Sequence, residues 1–235
     1  MPEATLLSAV FLGFLLGIKH ALDADHIVAV TTIVSRSRSL LRSVLVGLTW
    51  GAGHTIALLV VGFGVLVLKL TIPDKLALSM EFVVGIALIL IGVPLVRRLV
   101  RDRVHLHWHQ HEGTGHLHSH SHGDTPQHDH PHLKRPLLIG MVHGLAGSGA
   151  LTLLIFSSLS SVPQGMIFLL LFGIGSILGM LLFSGIIGLP FKFTAGVSAR
   201  LNLWVQGVAG AVSVVFGLFI MWQVGFVQGL FVFTA

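Results

Sequence analysis

Leu16-Gly17-Ile18-Lys19-His20-Ala21-Leu22-Asp23-Ala24-Asp25-His26 lies inside an apolar stretch that runs from residue 5 to residue 34. Ionisable side chains at bilayer depth are expensive, so such a cluster must face protein or a watery cavity and not lipid. The stretch therefore reads as one helix of a bundle. Further apolar windows of spanning length, roughly 20 residues, follow at 43–68, 76–96, 136–159, 165–190 and 201–224. Mean hydropathy is +0.91. Charged residues make up 10% of the chain, whereas an ordinary soluble domain carries about 25%. Together these features predict an all-α fold, a polytopic transmembrane helix bundle of about six spans. The first two spans are long enough to tilt or break, and glycine-rich stretches offer places for it. Residues 225–235 are apolar and either extend the last helix or lie in the interface.

An internal repeat emerges when the two ends of the chain are laid side by side. Leu16-Gly17-Ile18-Lys19-His20-Ala21-Leu22 matches Ile139-Gly140-Met141-Val142-His143-Gly144-Leu145. Trp50-Gly51-Ala52-Gly53-His54 matches Phe172-Gly173-Ile174-Gly175-Ser176, and Gly85 and Gly92 echo Gly210 and Gly217. The predicted organisation is a first three-helix repeat over 1–103, a histidine-rich loop over 104–135, and a second three-helix repeat over 136–235. Three spans per repeat is an odd number, so the second half enters the membrane in the opposite sense. Such a 3+3 inverted repeat places a substrate site near the midplane, between the halves. The plain alternative is unrelated helices that share small-residue spacing because they pack closely.

Loop charge sets the expected orientation. Arg36, Arg38 and Arg42 occupy the first loop; Arg97, Arg98, Arg101, Arg103, Lys134 and Arg135 flank the third; Lys192 and Arg200 flank the fifth. The second loop holds only Lys69 and Lys75, so the odd loops are expected to be cytoplasmic and both termini outside. The formal net charge of +5 does not point to nucleic acid, because the basic residues sit at the ends of apolar segments and form no stripe with aromatics. Residues 1–8 lack a positively charged start and an obvious cleavage site, so no removable signal peptide is expected. The absence of cysteine excludes disulfides, thiolate metal sites and thiol redox chemistry.

A metal in this chain must therefore be held by imidazole, carboxylate or carbonyl. At about 100° per residue, His20, Asp23 and His26 fall within about 120° of one helix face, with Asp25 pointing nearly the other way. Two imidazoles and a carboxylate suit nickel, cobalt, zinc or copper better than magnesium or calcium. The aspartates offset part or all of a divalent charge in a poorly solvated place. The bland alternative is a solvated or capping cluster at a helix end. His54 can complete the site from a second helix, although a lone buried histidine more often bonds a carbonyl or hydroxyl. His143 occupies the place in the second half that His20 holds in the first. It adds one imidazole, with Ser148 nearby, or simply packs. Eleven of the 15 histidines crowd between His105 and His132. That polar tract cannot bury a core and is expected to be disordered without ligand, where it captures, buffers or senses metal and is dispensable for translocation.

The stretch from His20 to His26 resembles the signature of the nickel/cobalt transporter family: histidine, four residues, then aspartate-histidine. His20, Asp25 and His26 fit that spacing, and Asp23 fits the fuller form. Gly53-His54-Thr55 resembles the family's second motif. Longer members have eight spans and acidic motifs in later helices. This chain carries His143-Gly144-Leu145-Ala146-Gly147-Ser148 instead, and looks more like the short, six-span branch of urease-accessory nickel permeases. The resemblance implies His20, Asp23, Asp25, His26 and His54 as metal or pathway residues. It also implies a bacterial-type inner (plasma) membrane, nickel or cobalt uptake without a resident cofactor, and delivery to a cytoplasmic metal chaperone or nickel-enzyme maturation proteins. No Gly-x-x-x-x-Gly-Lys-Ser/Thr loop is present, so the expected mode is secondary transport and the chain is not expected to be an enzyme. Efflux is the close alternative. A membrane haem-binding redox protein, with histidines as axial ligands, and an intramembrane metallohydrolase, which would need a zinc-bound water, are more distant; no His-Glu-x-x-His occurs.

Overall fold

The computed structural model describes residues 3–37, 39–101, 105–111, 114–120, 134–158 and 161–231. Seven α-helices dominate: α1 (Glu3–His20), α2 (Ala24–Val34), α3 (Leu40–Leu66), α4 (Asp74–Arg101), α5 (Lys134–Ser158), α6 (Val162–Val197) and α7 (Ala199–Trp222). A π-helical turn, Gln223–Val227, continues α7. Four of the segments are long and apolar enough to cross a membrane: Leu40–Leu66, Asp74–Arg101, Val162–Val197 and Ala199–Val227. Large apolar side chains lie on the outside along these helices, among them Val60, Leu90, Leu182 and Phe193. A continuous apolar exterior of that kind is solvated by lipid, not water. The chain is a helical integral membrane protein.

The first apolar stretch breaks, as its length allowed: α1 stops at His20 and α2 starts at Ala24. The short α2 touches α3, α4, α6 and α7, so it occupies the middle of the bundle. Two expected ends shift. α6 runs through Pro190 to Val197, and α4 carries Pro94 in its interior and continues to Arg101. Proline removes one backbone donor, and neighbouring helices make that tolerable in a membrane helix.

Glycine sets how close the helices come. A Cβ on Gly17 would run into the Phe172 carbonyl, and a Cβ on Gly140 into the Trp50 carbonyl. One on Gly53 would meet the Leu137 carbonyl, and one on Gly175 the Phe14 carbonyl. In each pair the second contact is the first with the matched segments of the two chain halves exchanged. Between α4 and α7 the pairs are Gly85 with Gly217 and Gly92 with Gly210, where an added Cβ would stand 2.6–2.8 Å from the opposing carbonyl. Gly13 lies on Phe168, Gly17 on Phe172 and Gly179 on Ala21, so α1 and α6 run parallel. Gly47 lies on Ser184 and Gly62 on Leu169, so α3 runs antiparallel to α6. Cross-helix hydroxyl bonds reinforce the contacts: Ser213 Oγ donates to the Leu88 carbonyl (2.8 Å) and Thr55 Oγ1 to the Gly173 carbonyl (3.2 Å). Such bonds average about 0.6 kcal/mol each in membrane proteins.

At one end of the bundle Arg36, just before α3, lies near Arg98 of α4 and Arg135 of α5. Burial first, and then these two like charges, hold its guanidinium below the ordinary arginine pKa. The histidine tract departs from the expected lack of structure. His105–His111 (β1) pairs antiparallel with Thr114–His120 (β2), setting His105 opposite His120, His107 opposite His118 and His109 opposite His116. His-x-His alternation has the two-residue period of a strand, which is why the backbone accepts this pairing. The rest of the tract lies outside the described residues.

Gly17→Ala and Gly140→Ala are each expected to destabilise the bundle by about 1–3 kcal/mol, the usual result of overpacking. Gly196→Ala, whose added methyl meets nothing within 4 Å, is the neutral control. Thermal unfolding of the three variants in detergent checks the order.

Candidate metal site

The site begins where α1 ends. The amides of Leu22 and Asp23 reach back three residues, to the carbonyls of Lys19 (2.9 Å) and His20 (3.0 Å), and tighten the last turn. Asp23 then takes an extended conformation (φ −61°, ψ 145°) and starts α2 as its N-cap residue. Aspartate is a favoured cap because its carboxylate can accept from the first free amides. Here the side chain makes no cap bond. It accepts instead from His20 Nδ1, at 2.7 Å. A capping group has been diverted to hold an imidazole.

The break also turns His26 back toward His20. His26 Nδ1 donates to the His20 carbonyl at 3.1 Å, and the two rings stand 4.7 Å apart. From α3, His54 brings its Nε2 within 3.1 Å of His20 Nε2. Its ring lies 5.1 Å from His20 and 4.9 Å from His26. One ligand atom from each of His20, His26 and His54 lies within 4.8 Å of the others. His26 and His54 are buried at 2% and 0% exposure, while the side chains of His20 and Asp23 are 16% and 50% exposed.

Hydrogen-bond geometry assigns the tautomers. His20 and His26 each hold a proton on Nδ1, facing an oxygen, which leaves the lone pair of each on Nε2; that of His20 accepts from His54 Nε2 at 3.1 Å, so His54 carries its own lone pair on Nδ1. His26 Nε2 is buried without a partner, as is His54 Nδ1. Buried polar atoms are nearly always satisfied, so bare imidazole nitrogens gathered at a helix break mark a place for a ligand that accepts lone pairs. A divalent transition metal does so. Asp23 bonded behind His20 is the carboxylate–histidine arrangement that fixes a ligand's orientation and raises its basicity. The C-terminal end of α1 adds the negative pole of a helix dipole.

Phe172, 5.2 Å from His20, and Trp50, 5.8 Å from His26, wall the site with apolar surface. Gly147 leaves room beside it, since an added Cβ would stand 3.7–3.8 Å from His20 Cε1 and Nε2. Of the residues expected from sequence, His20, Asp23, His26 and His54 come together. Asp25 stands aside from the three imidazoles, although the regular helix on which its phase was reckoned is interrupted. Its Oδ1 is 3.6 Å from His26 Nδ1, beyond hydrogen-bond length. His143 is buried nearby but outside the group of three. The Ser148 side chain lies outside the described residues. Sequence reasoning used Trp50 and Phe172 only as markers of the repeat. The available signal was spacing: Trp50 precedes His54 by four residues and so shares its helix face.

Asp23→Asn is expected to leave the fold intact and weaken nickel or cobalt binding about 10–100-fold, the usual effect of losing a partner that orients a ligand. Calorimetric titration of the purified protein reads it, and an unchanged affinity would remove Asp23 from the site. Gly147→Ala should fold normally, whereas Gly147→Leu should fill the space beside His20 and block binding.

Neither a protein-family model nor a solved structure matches the chain. Among proteins of known role it is similar to the urease accessory protein UreH of Bacillus sp. (strain TB-90), at 40% identity over 234 residues, covering 98% of each chain. That relative is named for its accessory role to the enzyme urease. An identity of this size along the whole length, including the segments that build the histidine cluster, shows that the chain belongs to the UreH family of urease accessory proteins.

Proposed function

We propose that this protein is a secondary permease that carries a divalent transition-metal cation into the cytoplasm, nickel first and cobalt second. The observation that carries the reading is the group of three imidazoles with ligand atoms within 4.8 Å of one another, at the break of a central helix. Nitrogen ligands of intermediate softness select nickel, cobalt, copper or zinc over the hard cations. Kinship with a urease accessory protein favours nickel among these. Asp23 and Asp25 supply the negative charge that a dication needs in a poorly solvated place. Broken helices at mid-membrane are where transporters hold ions.

In this reading the bundle has six spans, with α1 and α2 together making the first, arranged as a 3+3 inverted repeat. The exchanged glycine contacts support it, as do helix directions: six alternating crossings require α1 parallel to α6, α3 antiparallel to α6, and α4 antiparallel to α7. The proximity of Arg36, Arg98 and Arg135 supports one shared, cytoplasmic side for the first and third loops. The histidine tract then lies in the cytoplasm of a bacterial-type plasma membrane. There it buffers incoming metal ahead of a metal chaperone or maturation protein. A haem site is a poor fit: Nε2 of His20 and Nε2 of His54 are 3.1 Å apart, with a third ring against both, leaving no gap for a macrocycle.

Cells or oriented vesicles carrying the protein should accumulate nickel and, more weakly, cobalt. His20→Ala and His54→Ala should abolish accumulation, while deletion of 105–132 should alter affinity and leave transport in place. Loss of preloaded metal from cells would reverse the direction, and loss of all transport on loop deletion would move the site out of the bundle. Binding should weaken as pH falls, because protons compete for the imidazole nitrogens that hold the ion.

A further inference from the structure

We infer that His26 and His143 form a second ion position, one step from the three-imidazole group, and that the ion moves between the two with His26 as the shared ligand. The inference rests on the permease reading and deepens it. His143, on α5, is 2% exposed. Its Nδ1 donates to the Ile139 carbonyl at 3.0 Å, which leaves the lone pair on Nε2, and that atom is buried without a partner. His26 presents an Nε2 in the same condition. Two imidazoles that share an ion through metal–nitrogen bonds of about 2.0–2.1 Å have ring centres no more than about 6.5 Å apart. His26 and His143 are 5.8 Å apart, within that limit. His143 nevertheless stands outside the group formed by His20, His26 and His54.

Two further features fit a station and not a fourth ligand. Trp50, fully buried, stands 5.8 Å from His26 and 5.2 Å from His143, and closes this place to water. Each position also has its own carboxylate. Asp23 bonds to His20 of the first, and Asp25 lies within electrostatic reach of both His26 and His143. In the transfer, bonds from the ion to His20 and His54 break, the bond to His26 Nε2 stays, and a bond to His143 Nε2 forms. No electron or covalent bond of the protein changes. The second position has fewer imidazoles and holds the ion more weakly, which suits it to release.

The test uses the full-length protein, Ni²⁺ and Co²⁺ as probes, binding in detergent and transport in proteoliposomes. His143→Gln should bind the first ion with unchanged affinity yet lose transport by at least about tenfold, while His54→Gln loses the binding itself by a similar factor. Equal loss of binding in both variants would make His143 part of one four-imidazole site and overturn the proposal. Undiminished transport by His143→Gln would also overturn it. A readout that keeps His143 guards against misfolding of that variant. With Trp108, Trp204 and Trp222 changed to Phe, Co²⁺ should quench Trp50 emission in two concentration steps, and a single step overturns the second position. A native protein that neither binds nor moves either metal would instead defeat the permease reading.

Discussion

Everything at the centre of this molecule depends on helices meeting backbone to backbone. Where Gly17 meets the Phe172 carbonyl and Gly53 meets the Leu137 carbonyl, no side chain intervenes. A methyl group at either place would push the axes apart. The 3.1 Å approach of His20 to His54 leaves no such slack. In lipid there is little hydrophobic force to draw helices together, so contact area and small residues carry the association. The polar site is therefore held by an apolar device.

The second requirement is the interruption between α1 and α2. In an unbroken helix, residues 20 and 26 would be separated by nearly two turns and could not share an ion face to face. The break brings the His26 ring to 4.7 Å from that of His20 and lets Nδ1 reach the His20 carbonyl. Local stability is given up for this, because Asp23 leaves the first amides of α2 without its carboxylate. A cap contributes about 1 kcal/mol, a modest sacrifice beside the orientation of a ligand.

The sequence made the helical class legible because hydropathy and charge depletion act over whole segments. His20, Asp23, His26 and His54 were legible because ionisable groups in an apolar run have few other places to go. The convergence of the first three was anticipated from a regular helical phase, whereas a break produces it, and no residue pattern at 21–23 distinguishes the two outcomes. The ends of α4 and α6 were missed for a different reason: tertiary contacts tolerate Pro94 and Pro190, and local propensity knows nothing of them. Gly147 was invisible as a site residue, and Trp50 was marked only by its four-residue spacing from His54, since walls and vacant space arise only when helices are assembled. The exchanged glycine contacts were half visible. Matching segments indicated them, and only the assembled bundle shows what each glycine touches.

The uneven wetting of the cluster carries a kinetic consequence. Asp23 is half-exposed and His20 partly so, while His26, His54 and His143 are sealed. A carboxylate that open is untenable against lipid and must see water. One flank of the cluster is thus wet and the other dry, so no continuous file of solvent crosses it in this conformation. For the proposed permease, an ion would then cross only when the dry flank opens in its turn, which would limit throughput to one rearrangement of the helices per passage.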